Sequence, residues 1–185
     1  FLHKKKNKIY LDVMGKKKEY DHLIVAVHSD QVKNVLNLNK AEKSVFEKIK
    51  YTKNKVYLHS DEKLMPKFKK IWSSWNYIEN KKKASGVNVT YWMNKLQKLD
   101  TNENIFVSLN PSTSSYKKKI FKVIYYDHPL FDFNTFGNQK KINTMQGVGN
   151  IWFCGAYLGY GFHEDGIKSA LKVVNKILER KNERN

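Results

Sequence analysis

The chain has 185 residues, 41% of them hydrophobic and 14% aromatic, which excludes a disordered polypeptide and supports one domain or two small lobes. Its formal net charge is +18, from 35 basic and 17 acidic residues, and such a charge first suggests nucleic acid or an anionic membrane surface as partner. Arg180 and Arg184 are the only arginines, leaving 35 − 2 = 33 lysines. Phosphate and base readers lean on the bidentate fork of Arg, so the Lys and Asn excess reads as codon bias. The lysine runs at 4–6, 16–18, 81–83 and 117–119 are predicted to be solvated turns. Cys154 stands alone, which excludes an internal disulfide framework and makes a reducing, cytoplasmic setting the default expectation. No apolar run reaches the ~18 residues of a membrane span, and "FLHKKKNKIY" lacks a signal-peptide hydrophobic region. The sequence starts at Phe1 without an initiating Met, so Phe1 is expected to be internal to a longer protein.

In chain order, "NKIYLDVMGKKKEYDHLIVAV" predicts a strand, a polar turn around 15–18 and a second strand. The continuous apolar run Leu23–Val27 suits a strand buried on both faces of a layered α/β sheet. Ser29 is placed to cap a short helix opening at Asp30 and Gln31. "NKAEKSVFEKIKY" sets Ala41, Val45, Phe46 and Ile49 on one helical stripe.

From residue 51 to 128 the pattern changes. "NKVYLHS", "WSSWNYI", "VNVTYWMN", "NIFVSLN" and "FKVIYYDHP" are rich in aromatic and β-branched residues and separated by polar turns, predicting a largely antiparallel sheet. "FNTFGNQKKINTM" reads as a helix. The last 40 residues return to α/β character: "NIWFCGAY" is a strand running into glycines, and Ile167, Ala170, Leu171, Val174, Ile177 and Leu178 form a helical stripe. Strand, glycine-rich turn and helix are the parts of a phosphate or cofactor site. The C-terminal strand and Leu23–Val27 are expected side by side in one layer, apart from the aromatic strands.

"IWFCGAYLGYGFHEDGIKSAL" resembles the C-terminal flavin-binding segment of the FAD-dependent amine oxidase family, particularly the bacterial flavin oxidoreductases found beside or fused to cyclopropane fatty acid synthases. "YDHLIVAVHSDQV", "LHSDEKLMPKFKKIWSSWNY", "VTYWMNKLQ", "IFVSLNP" and "YDHPLFD" fit the same group, so the resemblance runs from about Ile9 to the end. It implies a mixed α+β and α/β fold, with part of a Rossmann-type FAD-binding lobe (1–37 and 145–185) and an antiparallel-sheet substrate lobe (38–144). It also implies an FAD-dependent oxidoreductase with a small, apolar substrate. The family's G-x-G-x-x-G loop does not occur in this sequence, so the chain is expected to be a C-terminal fragment, inactive alone, whose partner is the missing N-terminal Rossmann half.

By the same resemblance, Gly155 and Ala156 approach the flavin's phosphate and ribityl chain. Phe162, His163, Glu164 and Asp165 sit at a helix start facing the isoalloxazine pyrimidine edge, and Gly166 lets that helix pack tightly. Many relatives carry an acid where this chain has Ala156, which leaves the ribityl contact and an amine substrate unsupported. No catalytic acid or base is indicated.

Several residues carry two readings. Cys154 is a flavin anchor or, as favoured, a small buried hydrophobe at a strand end. His28 lines the cofactor cavity or is a loop histidine, with nothing to choose between them. Trp72 and Trp92 are substrate-cavity walls or sheet core. His128, His163, Asp127 and Glu164 show no metal-ligand spacing, and no G-x-S-x-G elbow supports a hydrolase. The alternative from another class is a non-catalytic lysine-rich module binding nucleic acid or anionic lipid. The scatter of lysines over the chain weighs against it, and no specific nucleic acid partner is expected.

Overall fold

The computed structural model describes residues 2–5 (backbone only), 8–77, 88–111 and 119–183. The chain divides into two compact units, 1–52 with 129–185, and 53–128.

The first unit opens with an antiparallel three-stranded sheet, β1 (Leu2–Lys5), β2 (Lys8–Val13) and β3 (Lys16–Tyr20). Val13 pairs with Lys16 around the two-residue loop Met14–Gly15, and both loop residues have positive φ, 53° and 75°. That is the handedness a tight hairpin requires, and it falls on glycine at the second position at no steric cost. Two expected solvated turns are therefore strands: Lys16–Lys18 lie in β3, whose five residues are all exposed, and Lys4 and Lys5 lie in β1. The runs at 81–83 and 117–118 lie outside the described residues.

β4 (Leu23–Val25) pairs in parallel with β10 (Ile151–Phe153), with Leu23 opposite Ile151 and Val25 opposite Phe153. These four residues face a core completed by Ile9, Val32, Leu36, Phe46, Ile49, Ile142 and Tyr157. The side-by-side placement expected from the sequence is found, but the expected burial on both faces is not: Ile24 is 45% exposed, because the C-terminal helix on its side of the sheet packs over Trp152 of the neighbouring strand instead.

α1 (Val32–Val35) follows a 3-10 turn at Ser29–Gln31. Ser29 is not the expected cap. It lies inside the turn, fully buried, and its N–H donates to Tyr51 Oη at 3.0 Å. α2 (Lys40–Glu47) is capped by Asn39, whose side chain accepts from the Glu42 N–H while Glu42 bonds back to the Asn39 N–H. α4 (Phe133–Met145) starts on a reciprocal bond pair between Asp132 and Thr135. α2 supplies Phe46 to the core and α4 supplies Ile142. The expected lobe limits at 37/38 and 144/145 thus differ from the compact units, since these helices bury their apolar faces with β4 and β10.

α5 (His163–Asn182) covers the opposite side of β10. Val173, Ala170 and Ile177 pack on Trp152 and Cys154. The Arg180 guanidinium lies 4.8 Å from the Trp152 ring and donates to the Gly147 carbonyl at 2.8 Å. Only part of the expected α5 stripe is buried: Ile167, Leu171, Val174 and Leu178 are 43–58% exposed.

The second unit is built on a five-stranded sheet of order β6–β7–β8–β5–β9, from β5 (Tyr51–His59), β6 (Trp75–Tyr77), β7 (Val89–Trp92), β8 (Phe106–Leu109) and β9 (Ile120–Pro129). The resolved pairings β5·β8, β6·β7 and β7·β8 are antiparallel. A short helix, α3 (Met93–Gln97), interrupts the expected strand at 87–94. Trp72 packs edge-on against Trp92 at 5.4 Å and Phe106 at 5.7 Å, and its indole N–H donates to the Pro66 carbonyl at 2.8 Å. Of its two readings, the core one holds for Trp72. Beside it runs a buried polar chain: His59 Nε2 lies 2.8 Å from Ser108 Oγ, which lies 2.7 Å from Thr90 Oγ1.

Candidate functional site

Parallel strands end together, and in open α/β sheets ligands bind outside the carboxyl ends of such strands. β4 and β10 both end at one edge, Val25 beside Phe153. The loop 26–29 leaves one, the glycine-rich turn 154–162 leaves the other, and α5 begins where that turn closes.

His28 leaves β4 exposed, its ring stacked on Tyr51 with centroids 4.9 Å apart. Tyr51 Oη is held by Ser29, and burial raises its phenol pKa, the hydrogen bonds from Ser29 opposing. Gly155 has φ 156°, and a Cβ there would stand 2.6 Å from the Tyr157 ring. Its missing side chain therefore makes room first for Tyr157. Ser169, one face of α5, accepts from the Gly155 N–H at 2.9 Å and donates to the Gly166 carbonyl at 2.7 Å, locking helix to turn. Residues Ala156–Leu158 form a 3-10 turn whose first bond is Leu158 N–H to the Gly155 carbonyl, which leaves the Ala156 and Tyr157 amides at the open start of the turn. Gln139 of α4 clamps the turn from below, its amide donating to the Tyr157 and Gly159 carbonyls at 3.0 and 2.7 Å.

The four residues Phe162–Asp165 open α5. Phe162, His163 and Glu164 are exposed, and Glu164 pairs with Lys168 one helical turn on, at 3.5 Å. Asp165 is engaged within the chain, its carboxylate accepting from the Tyr160 and Phe162 N–H groups at 3.0 Å each. A Cβ at Gly166 would meet nothing nearer within the chain than Ala156 N at 3.8 Å, an ordinary contact. Cys154 is buried beneath Trp152 and Val173, and burial pushes its thiol pKa up, against a reactive thiolate.

Two buried polar atoms in these loops, Tyr157 Oη and Asp30 Oδ1, have no hydrogen-bond partner among the described residues. Burial pushes the Tyr157 phenol pKa well up, with Tyr51 and Cys154 adding to it. Two clefts lie nearby. One of about 170 Å³ is lined by Asn143, Gln146, Tyr160, Lys168 and Lys172, and one of about 260 Å³ by Leu36, Leu38, Met145, Val148 and Phe153. Neither is lined by His28, Gly155 or Ala156. No group of three metal-ligating side chains occurs among the described residues, and no helix among them is long and apolar enough to cross a membrane.

Tyr51, Gln139 and Ser169 are brought here without a sequence signal, and Ser29 and Asp30 were legible only as a helix start. Tyr157 had a signal, lying two positions after the glycine at the strand end.

The fold, though not the sequence, has solved counterparts. A protein of Exiguobacterium sp. 255-15 provisionally named a protoporphyrinogen oxidase superposes with a TM-score of 0.60 at 10% identity, over 95% of this chain and 45% of its own. A fatty acid isomerase of P. acnes that produces CLA superposes with a TM-score of 0.61 at 15% identity, over 95% of this chain and 46% of its own. The chain thus shares a mixed α/β fold with an antiparallel sheet with these enzymes and spans under half of their length. No family model and no curated protein matches the sequence.

Proposed function

We propose that this chain is the C-terminal part of an FAD-dependent oxidoreductase of the amine oxidase type, with residues 155–166 and the His28 loop at the flavin end of the cofactor. The observation that carries this reading is the common ending of the parallel strands β4 and β10, with both loops and the start of α5 at that one edge. It is supported by the fold shared with an oxidase-named protein and a fatty acid isomerase.

The residues fit such a group. The orphaned Tyr157 Oη and Asp30 Oδ1 mark loops suited to meet a polar atom that the described residues do not supply. The Ala156 and Tyr157 amides and the first-turn N–H groups of α5 are donors suited to an anionic or electron-rich edge. Phe162 and His163 flank that helix start, Gly155 and Ala156 present backbone, and Glu164 and Asp165 contribute by fixing the turn. When bound, FAD supplies the two-electron redox chemistry, and the protein's part is orientation, water exclusion and electrostatics. A small apolar substrate, bound in the unit comprising 53–128, is the corresponding reading of that unit's aromatic sheet. The remaining dinucleotide grip belongs to an N-terminal Rossmann half.

The test is to purify the full-length gene product and the 185-residue chain and to measure bound flavin by visible absorption. A yellow full-length protein whose flavin is reduced by a substrate, beside a colourless fragment, is the expected outcome. Stoichiometric FAD on the fragment, or a folded full-length protein with no affinity for FAD, contradicts the proposal.

A further inference from the structure

A row of like charges runs along one side of α5. Lys168, Lys172, Lys176 and Arg180 recur every four residues, which sets them on one helix face about 6 Å apart along the axis. Like charges at this spacing repel and weaken a helix, so the row calls for a counter-charge. Its two ends are engaged: Glu164 bridges Lys168 at 3.5 Å, and Arg180 is drawn to the Trp152 ring and the Gly147 carbonyl. Lys172 and Lys176, in the middle, form no ion pair among the described residues.

These lysines do not stand on a plain surface. Lys168, Lys172 and Lys176 line the cleft of about 170 Å³ between α5, the end of α4 and the turn at 158–160, and Leu158 and Val173 give that cleft apolar walls. The other polar side chains of the α5 and α4 walls are largely spent within the chain. Gln146 is bonded to the Phe153 backbone, Ser169 to Gly155 and Gly166, and the Asp165 carboxylate to the Tyr160 and Phe162 N–H groups. What remains unspent is cationic or a donor: Lys172, Lys176 and the Asn143 amide, which has no hydrogen bond among the described residues. Ammonium groups make charge-assisted hydrogen bonds to carboxylate and phosphate oxygens, and apolar walls beside charge of one sign focus its field into a cleft.

We propose that this cleft binds a small organic anion, its carboxylate or phosphate head held by Lys172 and Lys176 and its apolar body seated against Leu158 and Val173. The size of the body follows from the volume, since an apolar cavity of about 150 Å³ holds benzene. The ligand is therefore about one ring across. Neither His28 nor Gly155 nor Ala156 lines this cleft, so the site is apart from the proposed flavin edge and stands whether or not FAD binds there.

The experiment is calorimetric titration of the full-length gene product with phenyl phosphate, benzoate, inorganic phosphate and benzyl alcohol at about 0.15 M salt, with and without added FAD. Phenyl phosphate or benzoate is expected to bind with a Kd below about 1 mM, at least about tenfold tighter than inorganic phosphate or benzyl alcohol and equally with and without FAD. Lys172→Gln and Lys176→Gln are each expected to weaken that binding about tenfold through one lost charged hydrogen bond, whereas Lys172→Arg keeps it and Lys181→Gln, outside the cleft, leaves it unchanged. Because each Gln variant relieves the like-charge row, both should melt no lower than the parent, which separates lost binding from lost fold. Binding of phenyl phosphate alone, or of benzoate alone, keeps the site and identifies its head group. Binding of neither, binding that inorganic phosphate matches, or binding that survives both lysine variants overturns the proposal. Binding abolished by FAD also overturns it, assigning the anion to the cofactor's own site.

Discussion

Replacing Gly155 by Ala separates what the fold requires of this glycine from what a cofactor would. The added Cβ would lie 2.6 Å from Tyr157 Cε1 and 2.8 Å from Cδ1, where ordinary contact begins at 3.4 Å, so the ring must retreat by about 3.4 − 2.6 = 0.8 Å. Tyr157 is 3% exposed and packs in the core with Val25, Phe46 and Phe153, so the retreat is into occupied space. Overpacking of this kind costs about 1–3 kcal/mol, and the φ of 156° adds strain for an L-residue. At about 4 °C per kcal/mol for a unit of this size, thermal unfolding of the first unit should fall by about 4–12 °C. Tyr157→Leu in the same chain should relieve the clash, so the double variant should be at least about 1 kcal/mol more stable than the sum of the single effects. Calorimetry or circular dichroism measures both. A Gly155→Ala protein that unfolds at the parent temperature, or costs that simply add, would refute the argument. In the full-length protein the double variant also reports on chemistry: folded but unable to hold FAD, where Tyr157→Leu alone retains it, it would show that the glycine serves the cofactor as well.

Acid should weaken the second unit through His59. The Asp61 N–H donates to His59 Nδ1 at 3.1 Å, so the proton of the neutral ring is on Nε2, facing Ser108. Burial lowers the His59 pKa, with Asp61 opposing, so the unfolded chain takes up a proton at higher pH than the folded one. Stability is therefore full above the unfolded value of about 6.5 and falls below it, by up to about 1.4 kcal/mol per pH unit, until folded His59 titrates; urea midpoints between pH 7 and 5 should show a slope that His59→Gln reduces. Asp165→Ala removes two hydrogen bonds from the turn before α5 and should cost about 1–2 kcal/mol, as loss of a helix cap does, with faster amide exchange at Tyr160 and Phe162. Trp72→Ala empties a site flanked by Trp92 and Phe106 and should cost about 3–5 kcal/mol, read as a lowered urea midpoint of the second unit only.

Several elements fall where the sequence placed them. α4 spans the whole of "FNTFGNQKKINTM", and the strands at 51–59, 106–109 and 120–129 fall where β-branched and aromatic residues gather. β3 was illegible because "KKKEY" has no apolar alternation; it is a strand only because the Met14–Gly15 hairpin returns it alongside β2. Ser29 looked like a cap because small hydroxyl residues usually are, yet tertiary contact with Tyr51, 22 positions away, uses its N–H instead. The compact units differ from the expected lobes for a similar reason: a change from helical to strand-like sequence marks where elements change, whereas the units are set by where Phe46 and Ile142 find their core. At the candidate site the glycine-rich turn was legible as a turn. The role of Asp165 within it, and the dependence of Gly155 on Tyr157, follow from distances that spacing alone does not reveal.

The most direct test of the account is a crystal structure of the full-length gene product with FAD. The account predicts the pyrimidine edge of the isoalloxazine within about 3 Å, hydrogen-bond distance, of the first-turn amides of α5, with Gly155 and Ala156 against the adjoining chain of the cofactor. A flavin bound elsewhere, with residues 155–166 and His28 out of contact, would contradict it.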